Sequence, residues 1–324
     1  MKREASLLEV QNLTTYYELP RGYVKAAENI NFNVKVGEAL GLAGESGCGK
    51  TTVALSIVRL LPPEGRIMGG KCLFKGVDIV KLPEEEVRKK IRWKGISIVF
   101  QGAMNALNPV YRIGDQIVEA ITTHEDVSEE EAIKRAEKLF ELVGIDPSRL
   151  DNYPFEFSGG MRQRALIAMA LACNPDLIIA DEPGTALDVI VQAQVLKLLK
   201  SLKEKLNLAV IMISHDLSMI AETCDKIAIM YAGRIVEYGD IVKVFKRSLH
   251  PYTQGLIGAF PSIKGPRMRM ISIPGSPPNL LNPPPGCRFH PRCKYAMDIC
   301  RKEVPEFIEI EPEHWVACHL VSKK

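Results

Sequence analysis

The sequence lacks any long hydrophobic run, which excludes a transmembrane helix of ordinary length. Its longest uninterrupted apolar stretch, residues 165–173, is about half of the 18 residues that suggest such a helix. The first residues, 1–4, are not followed by the apolar segment of a secretory signal. We therefore expect a cytosolic protein, in which disulfide bonds are rare.

An excess of one charge is also missing. Lys and Arg number 42 against 39 Asp and Glu, and this formal net charge of +3 is too small to indicate nucleic acid or a membrane surface as the partner. The distribution is uneven, however, because residues 246–324 carry 12 Lys and Arg against 6 Asp and Glu, with four of the six histidines. A chain of 324 residues accommodates two domains. We predict a division into residues 1–245 and a C-terminal extension, residues 246–324.

A glycine-rich segment, GESGCGKTT at residues 44–52, is the first sign of a function. An apolar stretch precedes it and a helix-forming stretch follows, which is the context of a phosphate-binding loop (P-loop). Glycines let backbone N–H groups approach a phosphate chain, and the start of the next helix adds its positive dipole end. A lysine then reaches the β- and γ-phosphates, and a hydroxyl coordinates Mg²⁺. We predict that a nucleoside triphosphate is bound by Gly44, Ser46, Gly47, Cys48, Gly49, Lys50, Thr51 and Thr52.

Polar residues follow three other buried-looking strands of the predicted α/β fold. They are Gln101, the pair Asp181 and Glu182, and His215. Ligands bind at the carboxyl ends of strands in open parallel sheets. Asp181 is suited to hold Mg²⁺, and Glu182 to deprotonate an attacking water. A surface Asp-Glu turn or a structural histidine is the ordinary alternative, but the shared sheet edge favours a catalytic role.

A further segment, Ser158-Gly159-Gly160, opens a predicted helix and completes a pattern that resembles the ATP-binding-cassette (ABC) ATPases. The resemblance covers residues 1–245 and includes Asp188 in the segment that follows Asp181-Glu182-Pro183. It implies a P-loop NTPase fold of the ABC type, with a mixed sheet core, an antiparallel β subdomain and a helical subdomain at about residues 102–165. We expect a small irregular C-terminal extension to complete the chain.

The resemblance also implies roles for these residues. Two ATPases close head to tail, so that each ATP lies between one P-loop and the Ser-Gly-Gly signature of the other subunit. The implied roles are Glu182 as general base, His215 as γ-phosphate switch, Gln101 as Mg²⁺ sensor, Asp181 and Thr51 as Mg²⁺ ligands, Ser158, Gly159 and Gly160 as γ-phosphate contacts, and Asp188 as part of the facing site. Tyr17 is the first choice for stacking on adenine and Tyr23 the second. An equally open interpretation is that these aromatic side chains only pack against the edge of a sheet.

Several segments resemble more closely the ATPases of oligopeptide/dipeptide importers. They are residues 100–101, 106–109, 157–164, 250–253, 273–275 and 283–287. This family couples ATP hydrolysis to the uptake of peptides, or in some members oligosaccharides, through two permease subunits and an external solute-binding protein. Its motor is a heterodimer of two related ATPases at the cytoplasmic face of the cell membrane. The sequence departs from the family at Gly102 and Gly184, neither of which removes a group from the predicted chemistry.

Two other functions share parts of this pattern. A soluble ABC ATPase that acts on nucleic acid, in repair or translation, is one alternative, and a P-loop kinase is the other. The slight basic excess and the lack of a long heptad coiled coil favour the transporter over the nucleic-acid ATPase. The Ser-Gly-Gly signature argues against the kinase, which has no use for such a segment. In a transporter, the segment from Met104 to Tyr111 is expected to receive a helix of the permease.

Four cysteines lie close together in the proline-rich extension: Cys287, Cys293, Cys300 and Cys318. Such a group in a cytosolic protein indicates a metal. Zinc sites generally use closer pairs, whereas iron–sulfur clusters accept wider spacing. The resemblance implies a [4Fe–4S] cluster, with Zn²⁺ or no metal as alternatives and His290, His314 and His319 as substitute ligands. A structural clip is the expected role.

Overall fold

The computed structural model describes residues 6–102, 106–185, 187–259 and 273–321. The strands are β1 (Leu8–Leu19), β2 (Gly22–Val34), β3 (Ala39–Ala43), β4 (Gly65–Phe74), β5 (Val77–Asp78), β6 (Ile96–Val99), β7 (Leu177–Asp181), β8 (Ala209–Ser214), β9 (Lys226–Tyr231), β10 (Arg234–Asp240), β11 (Ile308–Glu311) and β12 (His314–Val316). The helices are α1 (Lys50–Ile57), α2 (Glu84–Glu86), α3 (Ile113–His124), α4 (Glu129–Leu142), α5 (Gly159–Ala170), α6 (Val189–Leu206), α7 (Leu217–Thr223), α8 (Ile241–Lys246), α9 (Pro251–Gly258) and α10 (Asp298–Lys302). Within these ranges, no helix combines the length and the apolar character needed to cross a membrane.

The chain forms two compact units. Of the described residues, the first contains 6–35, 40–80, 214–259 and 273–321, and the second contains 36–39, 81–102, 106–185 and 187–213. The P-loop and the C-terminal extension therefore lie in the first unit, whereas the Asp-Glu pair and the signature lie in the second. The predicted division at residue 245 stays a prediction.

An antiparallel sheet in the first unit has the strand order β2-β1-β4-β5. The segment Pro20-Arg21-Gly22 predicts a turn between two extended segments, and the hairpin between β1 and β2 confirms it. Alternate side chains of both strands are buried, among them Leu8, Val10 and Ile30. The sequence pattern predicts a strand only over residues 72–75. The observed strand β4 begins at Gly65 and pairs with β1 along most of its length. This longer ladder gives the antiparallel subdomain that the resemblance implied.

The other sheet of the first unit has the order β11-β12-β10-β9-β3. Strand β3 runs parallel to β9, and the remaining pairs are antiparallel. The two strands contributed by the extension were not predicted, since its many prolines favour irregular structure. They are short, and β12 joins the sheet through residues 314–316 opposite Gly239, Tyr238 and Glu237. The extension thus continues the sheet that carries the P-loop.

A buried carboxylate anchors the extension to this sheet. Glu237 on β10 is fully buried, and its Oε1 accepts hydrogen bonds from Leu249 N–H at 2.7 Å and from His314 Nε2 at 2.8 Å. Its Oε2 accepts a hydrogen bond from His250 N–H at 2.9 Å. Hydrogen bonds to a buried charge are among the strong ones. These bonds tie the start of α9 and strand β12 to β10.

The second unit contains the parallel strands β8, β7 and β6 in that order. Residues 128–131, Ser-Glu-Glu-Glu, predict a capping box. Helix α4 begins with it, since Ser128 and Glu131 each accept the other's backbone N–H. The sequence predicts an apolar face for this helix formed by Ile133, Ala136, Leu139, Phe140 and Val143. The prediction is wrong at one position, because Ile133 is 42% exposed. Ala132 is buried instead, since it lies four residues before Ala136 and thus on the same face. The sequence predicts an amphipathic helix over residues 189–206, and helix α6 has these bounds.

Candidate active site

The glycine-rich loop connects strand β3 to helix α1, as predicted. Two of its glycines have backbone conformations that exclude a side chain. Gly49, the residue before α1, has φ +104°, and a Cβ there would lie 1.9 Å from the Ala26 carbonyl oxygen. Gly44 has φ +151°, and its Cβ would lie 2.2 Å from the Met230 carbonyl oxygen. The loop is therefore a cradle that only glycine can form.

The Lys50 ammonium lies inside this loop. Its side chain is buried, with 6% of the residue exposed, and its Nζ donates to the carbonyl oxygens of Gly44 at 2.8 Å and Glu45 at 3.1 Å. A third contact, 3.7 Å long, joins it to Cys48 Sγ. The buried positive charge and the start of α1 both favour an anion at this loop. The residues present fit the phosphate chain of a nucleoside triphosphate.

Tyr17, the first choice for adenine stacking, is tied to the helix that follows the loop. Its hydroxyl lies 3.1 Å from Thr52 Oγ1. Tyr23 is the more open of the two, with 44% of its surface exposed, and its ring lies 6.3 Å from that of Tyr16. Thr51 and His215 are exposed in the same unit. Their roles, and the choice between the two tyrosines, stay predictions.

Glu182 in the second unit is held in a defined orientation. Its Oε2 accepts hydrogen bonds from Gln101 Nε2 at 2.7 Å and from Thr185 Oγ1 at 2.9 Å. Its backbone N–H donates to the Ile213 carbonyl at 2.9 Å, and its φ of +48° lies in the left-handed region. Such strain, about 1 kcal/mol or more, is concentrated at functional sites. Asp181 immediately precedes it, buried at the end of β7.

The sequence did not predict the contact between Thr185 and Glu182. Thr185 lies three residues after Glu182, in the segment that carries the resemblance, but that pattern gives its side chain no role. The predicted partner Gln101 does lie beside Glu182. Ala186, which follows Thr185 in the same motif, lies outside the described residues, as does Met104 of the segment expected to receive the permease helix.

The Ser-Gly-Gly signature and Asp188 begin two helices that touch. Ser158 precedes α5, and its Oγ accepts from Met161 N–H at 3.3 Å. Asp188 precedes α6, and its carboxylate accepts from the N–H groups of Ile190 and Val191. A Cβ on Gly160 would lie 2.5 Å from Val191 Cγ1. Glycine there allows the two helix starts to approach each other closely.

The four cysteines of the extension lie within electrostatic reach of one another. Burial raises the pKa of Cys318 to about 11, and the nearby Cys287, Cys293 and Cys300 contribute to the increase. Burial likewise raises the pKa of Cys287 to about 11, with Cys300 and Cys293 adding to it. In the described part of the chain, however, no three ligating side chains have an arrangement that holds a metal ion.

The three histidines considered as substitute ligands each have another partner. His314 Nε2 donates to Glu237, His290 Nδ1 donates to the Cys287 carbonyl at 2.9 Å, and His319 Nε2 donates to the Glu303 carbonyl at 3.0 Å. His314 is fully buried in its contact with Glu237. Each of these hydrogen bonds uses one ring nitrogen and leaves the other, so the contacts do not exclude the histidines as substitute ligands beside the thiols.

Comparison with known proteins agrees with this geometry. The family model described as "ABC transporter" matches residues 27–185, and the one described as "Oligopeptide/dipeptide transporter, C-terminal region" matches residues 236–300. A probable peptide ABC transporter ATP-binding protein of Sinorhizobium fredii is 48% identical over 316 residues, which cover 96% of this chain and 94% of that protein. The oligopeptide transport ATP-binding protein OppD of Escherichia coli is 46% identical over 315 residues, which cover 97% of this chain and 93% of that protein.

A solved structure shows the same fold in a dimer. It is the post-hydrolysis state of an ATP-binding cassette bound to ADP and phosphate, which aligns with a TM-score of 0.64 and 28% identity over 72% of this chain and 98% of that one. The family models and the near-full-length relatives agree on one assignment. The chain belongs to the ATP-hydrolysing, ATP-binding proteins of ABC transporters, in the group that carries the oligopeptide/dipeptide transporter C-terminal region.

Proposed function

We propose that this chain is the motor subunit of an ABC importer that takes up peptides, or oligosaccharides, at the cytoplasmic face of the cell membrane. The proposal rests on the presence of three features in one chain: the P-loop, the signature and the oligopeptide/dipeptide transporter C-terminal region. Its relatives are named as peptide and oligopeptide transport ATP-binding proteins. The partners are a related ATPase that completes a heterodimer, two permease subunits and an extracellular solute-binding protein.

In the proposed mechanism, each side chain has one task. Lys50 binds the β- and γ-phosphates inside the loop, and Glu182 takes the proton of the attacking water. Gln101 and Thr185 aim the Glu182 carboxylate through their hydrogen bonds. The signature residues Ser158, Gly159 and Gly160, with Asp188, serve the ATP bound by the other subunit. Thr51, Asp181 and Gln101 would hold Mg²⁺, which would neutralise charge on the phosphates.

A groove in the second unit suits the proposed contact with a permease. It measures about 780 Å³ and is lined by aromatic and polar side chains, including Trp93, Tyr111, Gln116 and His124. Val110 beside it is 72% exposed. Large exposed apolar side chains at a groove are typical of a surface that receives another protein's helix.

The test of this function is recovery of the complex from membranes. Full-length tagged chain is purified from detergent-solubilised membranes of its host, and the co-purified proteins are identified by mass spectrometry. We expect two permease subunits and a second ATPase, and Val110→Asp should reduce permease recovery. Arg247→Gln, a charge change on the exposed surface of the first unit, is the control and should not. Recovery of nucleic acid with no permease would contradict the transporter and support the soluble alternative.

We also propose that the four cysteines of the extension hold a [4Fe–4S] cluster, with Zn²⁺ as the alternative. The proposal rests on the sequence, because soft metals prefer thiolate ligands and iron–sulfur clusters accept the wide spacing of these four cysteines. Bound iron would compensate thiolate charge that burial otherwise disfavours, since the ligating form of cysteine is the thiolate. The cluster would supply a cross-link between residues 287 and 318 and fix the extension.

Replacing Cys293 with Ser is expected to remove the brown colour of anaerobically purified protein, because one of four ligands is lost. Iron and sulfide analysis with visible absorption spectroscopy measures the change. Cys173→Ser is the matched control, since its Sγ donates only to the Ala120 carbonyl at 3.6 Å, a bond that a hydroxyl can replace. Colourless wild-type protein containing one equivalent of zinc would contradict the iron–sulfur proposal.

A further inference from the structure

The C-terminal extension contacts the P-loop directly, through Glu45. Arg292 of the extension forms a two-pronged ion pair with this carboxylate, Nη1 to Oε2 at 2.6 Å and Nη2 to Oε1 at 2.9 Å. Tyr252, also of the extension, accepts a hydrogen bond from the Glu45 backbone N–H at 3.0 Å. Both the side chain and the backbone of one P-loop residue are therefore held by residues that the ABC family pattern does not include.

The arginine that makes this contact is itself rigidly placed. Its Nε donates to the Pro274 carbonyl at 2.7 Å, and its Nη2 also donates to the Gly275 carbonyl at 3.2 Å. The guanidinium lies 5.7 Å from the centre of the Tyr231 ring, and only 9% of Arg292 is exposed. The N–H groups of this planar guanidinium donate in several fixed directions at once. A lysine ammonium has a different shape and cannot reproduce this set of hydrogen bonds.

The tyrosine is fixed as firmly. Tyr252 is fully buried, and its ring lies 4.6 Å from that of Tyr231 and 5.4 Å from that of Phe289. Its backbone N–H donates to His250 Nδ1 at 3.0 Å, and His250 N–H is in turn bound by the buried Glu237. Burial lowers the pKa of His250 to about 4, so this imidazole stays a neutral acceptor at physiological pH.

Glu45 links this contact to the phosphate-binding lysine, because its carbonyl oxygen accepts a hydrogen bond from Lys50 Nζ at 3.1 Å. We propose that Arg292 is a positioning residue for ATP, which acts through Glu45 to hold the P-loop in its phosphate-binding conformation. The inference rests on the ATP-binding role of the loop and gives the extension a part in it. Without the ion pair, the loop must be ordered when ATP binds, and that ordering weakens affinity.

The experiment measures Mg²⁺·ATP affinity of the full-length chain and, in parallel, hydrolysis by that chain assembled with its partner ATPase and permeases. We expect Arg292→Gln to raise the ATP dissociation constant and KM about tenfold, a typical coupling between sites. The kcat should stay within about a factor of two, because Glu182 and its partners are unchanged. Arg292→Lys should recover only part of the affinity, since it restores charge without the fork. Arg247→Gln, which breaks the exposed ion pair with Glu311, is the control and should match wild type.

A double-mutant cycle separates this role from general stability. Glu45→Gln should weaken ATP binding as Arg292→Gln does, and the double variant should be no weaker than either, because both remove one interaction. Additive effects, or a lower melting temperature with unchanged ATP affinity, would overturn the inference and leave Arg292 a structural residue. A wild-type chain that binds no ATP would instead defeat the proposed function, which keeps the two failures distinct.

Discussion

Replacing Glu182 with Gln is expected to lower steady-state ATP hydrolysis by about a thousandfold, within the range for loss of a general base, while ATP binding persists. The amide is nearly isosteric with the carboxylate. Its carbonyl oxygen can still accept the hydrogen bonds that Gln101 and Thr185 donate in the wild-type protein. The geometry is therefore kept, and only the ability to take a proton from water is lost.

The measurement pairs hydrolysis with ATP binding and oligomeric state. With the partner ATPase present, bound ATP that is not hydrolysed should trap the closed heterodimer, detectable by size-exclusion chromatography with light scattering. Glu141→Gln, on the exposed surface of α4, is the matched control and should leave all three unchanged. Hydrolysis by Glu182→Gln near the wild-type rate would assign the base to another residue.

A substitution at Thr185 tests a weaker perturbation of the same carboxylate. Thr185→Val removes one of the two hydrogen bonds that aim Glu182 and leaves the carboxylate in place. Its effect on kcat should therefore be much smaller than that of Glu182→Gln. The comparison separates orientation of the base from its chemistry.

The sequence predicts the P-loop well because its causes are local. Gly44 and Gly49 are required by the path of their own backbone, and strand and helix flank them in sequence. The same holds for the capping box at Ser128 and for helix α6. Periodicity alone cannot decide which of the adjacent apolar residues Ala132 and Ile133 is buried, because both lie at the edge of the apolar face of α4.

The contacts of the extension could not be predicted in this way. Arg292 and Glu45 are 247 residues apart, and no spacing rule joins an arginine to a distant carboxylate. Prolines in the extension favour irregular structure. Strand β12 nevertheless pairs with β10, because the edge of β10 presents backbone N–H and C=O groups that a further strand can bind. Such pairings depend on tertiary placement, which overrides local preference.

Removing the Lys50 ammonium is expected to have the other large effect, a loss of ATP affinity of about a hundredfold, as for a desolvated charge contact. Lys50→Met keeps most of the buried volume but leaves the Gly44 and Glu45 carbonyls without this donor. Wild-type chain at about 100 times its dissociation constant should gain about 2.7 kcal/mol from ATP, and the variant about 0.4 kcal/mol. Thermal unfolding with and without Mg²⁺·ATP measures this difference, and Lys197→Met on α6 is the control. An ATP-dependent rise in melting temperature equal to that of wild type would contradict the role of Lys50, whereas Glu182→Gln should show that full rise.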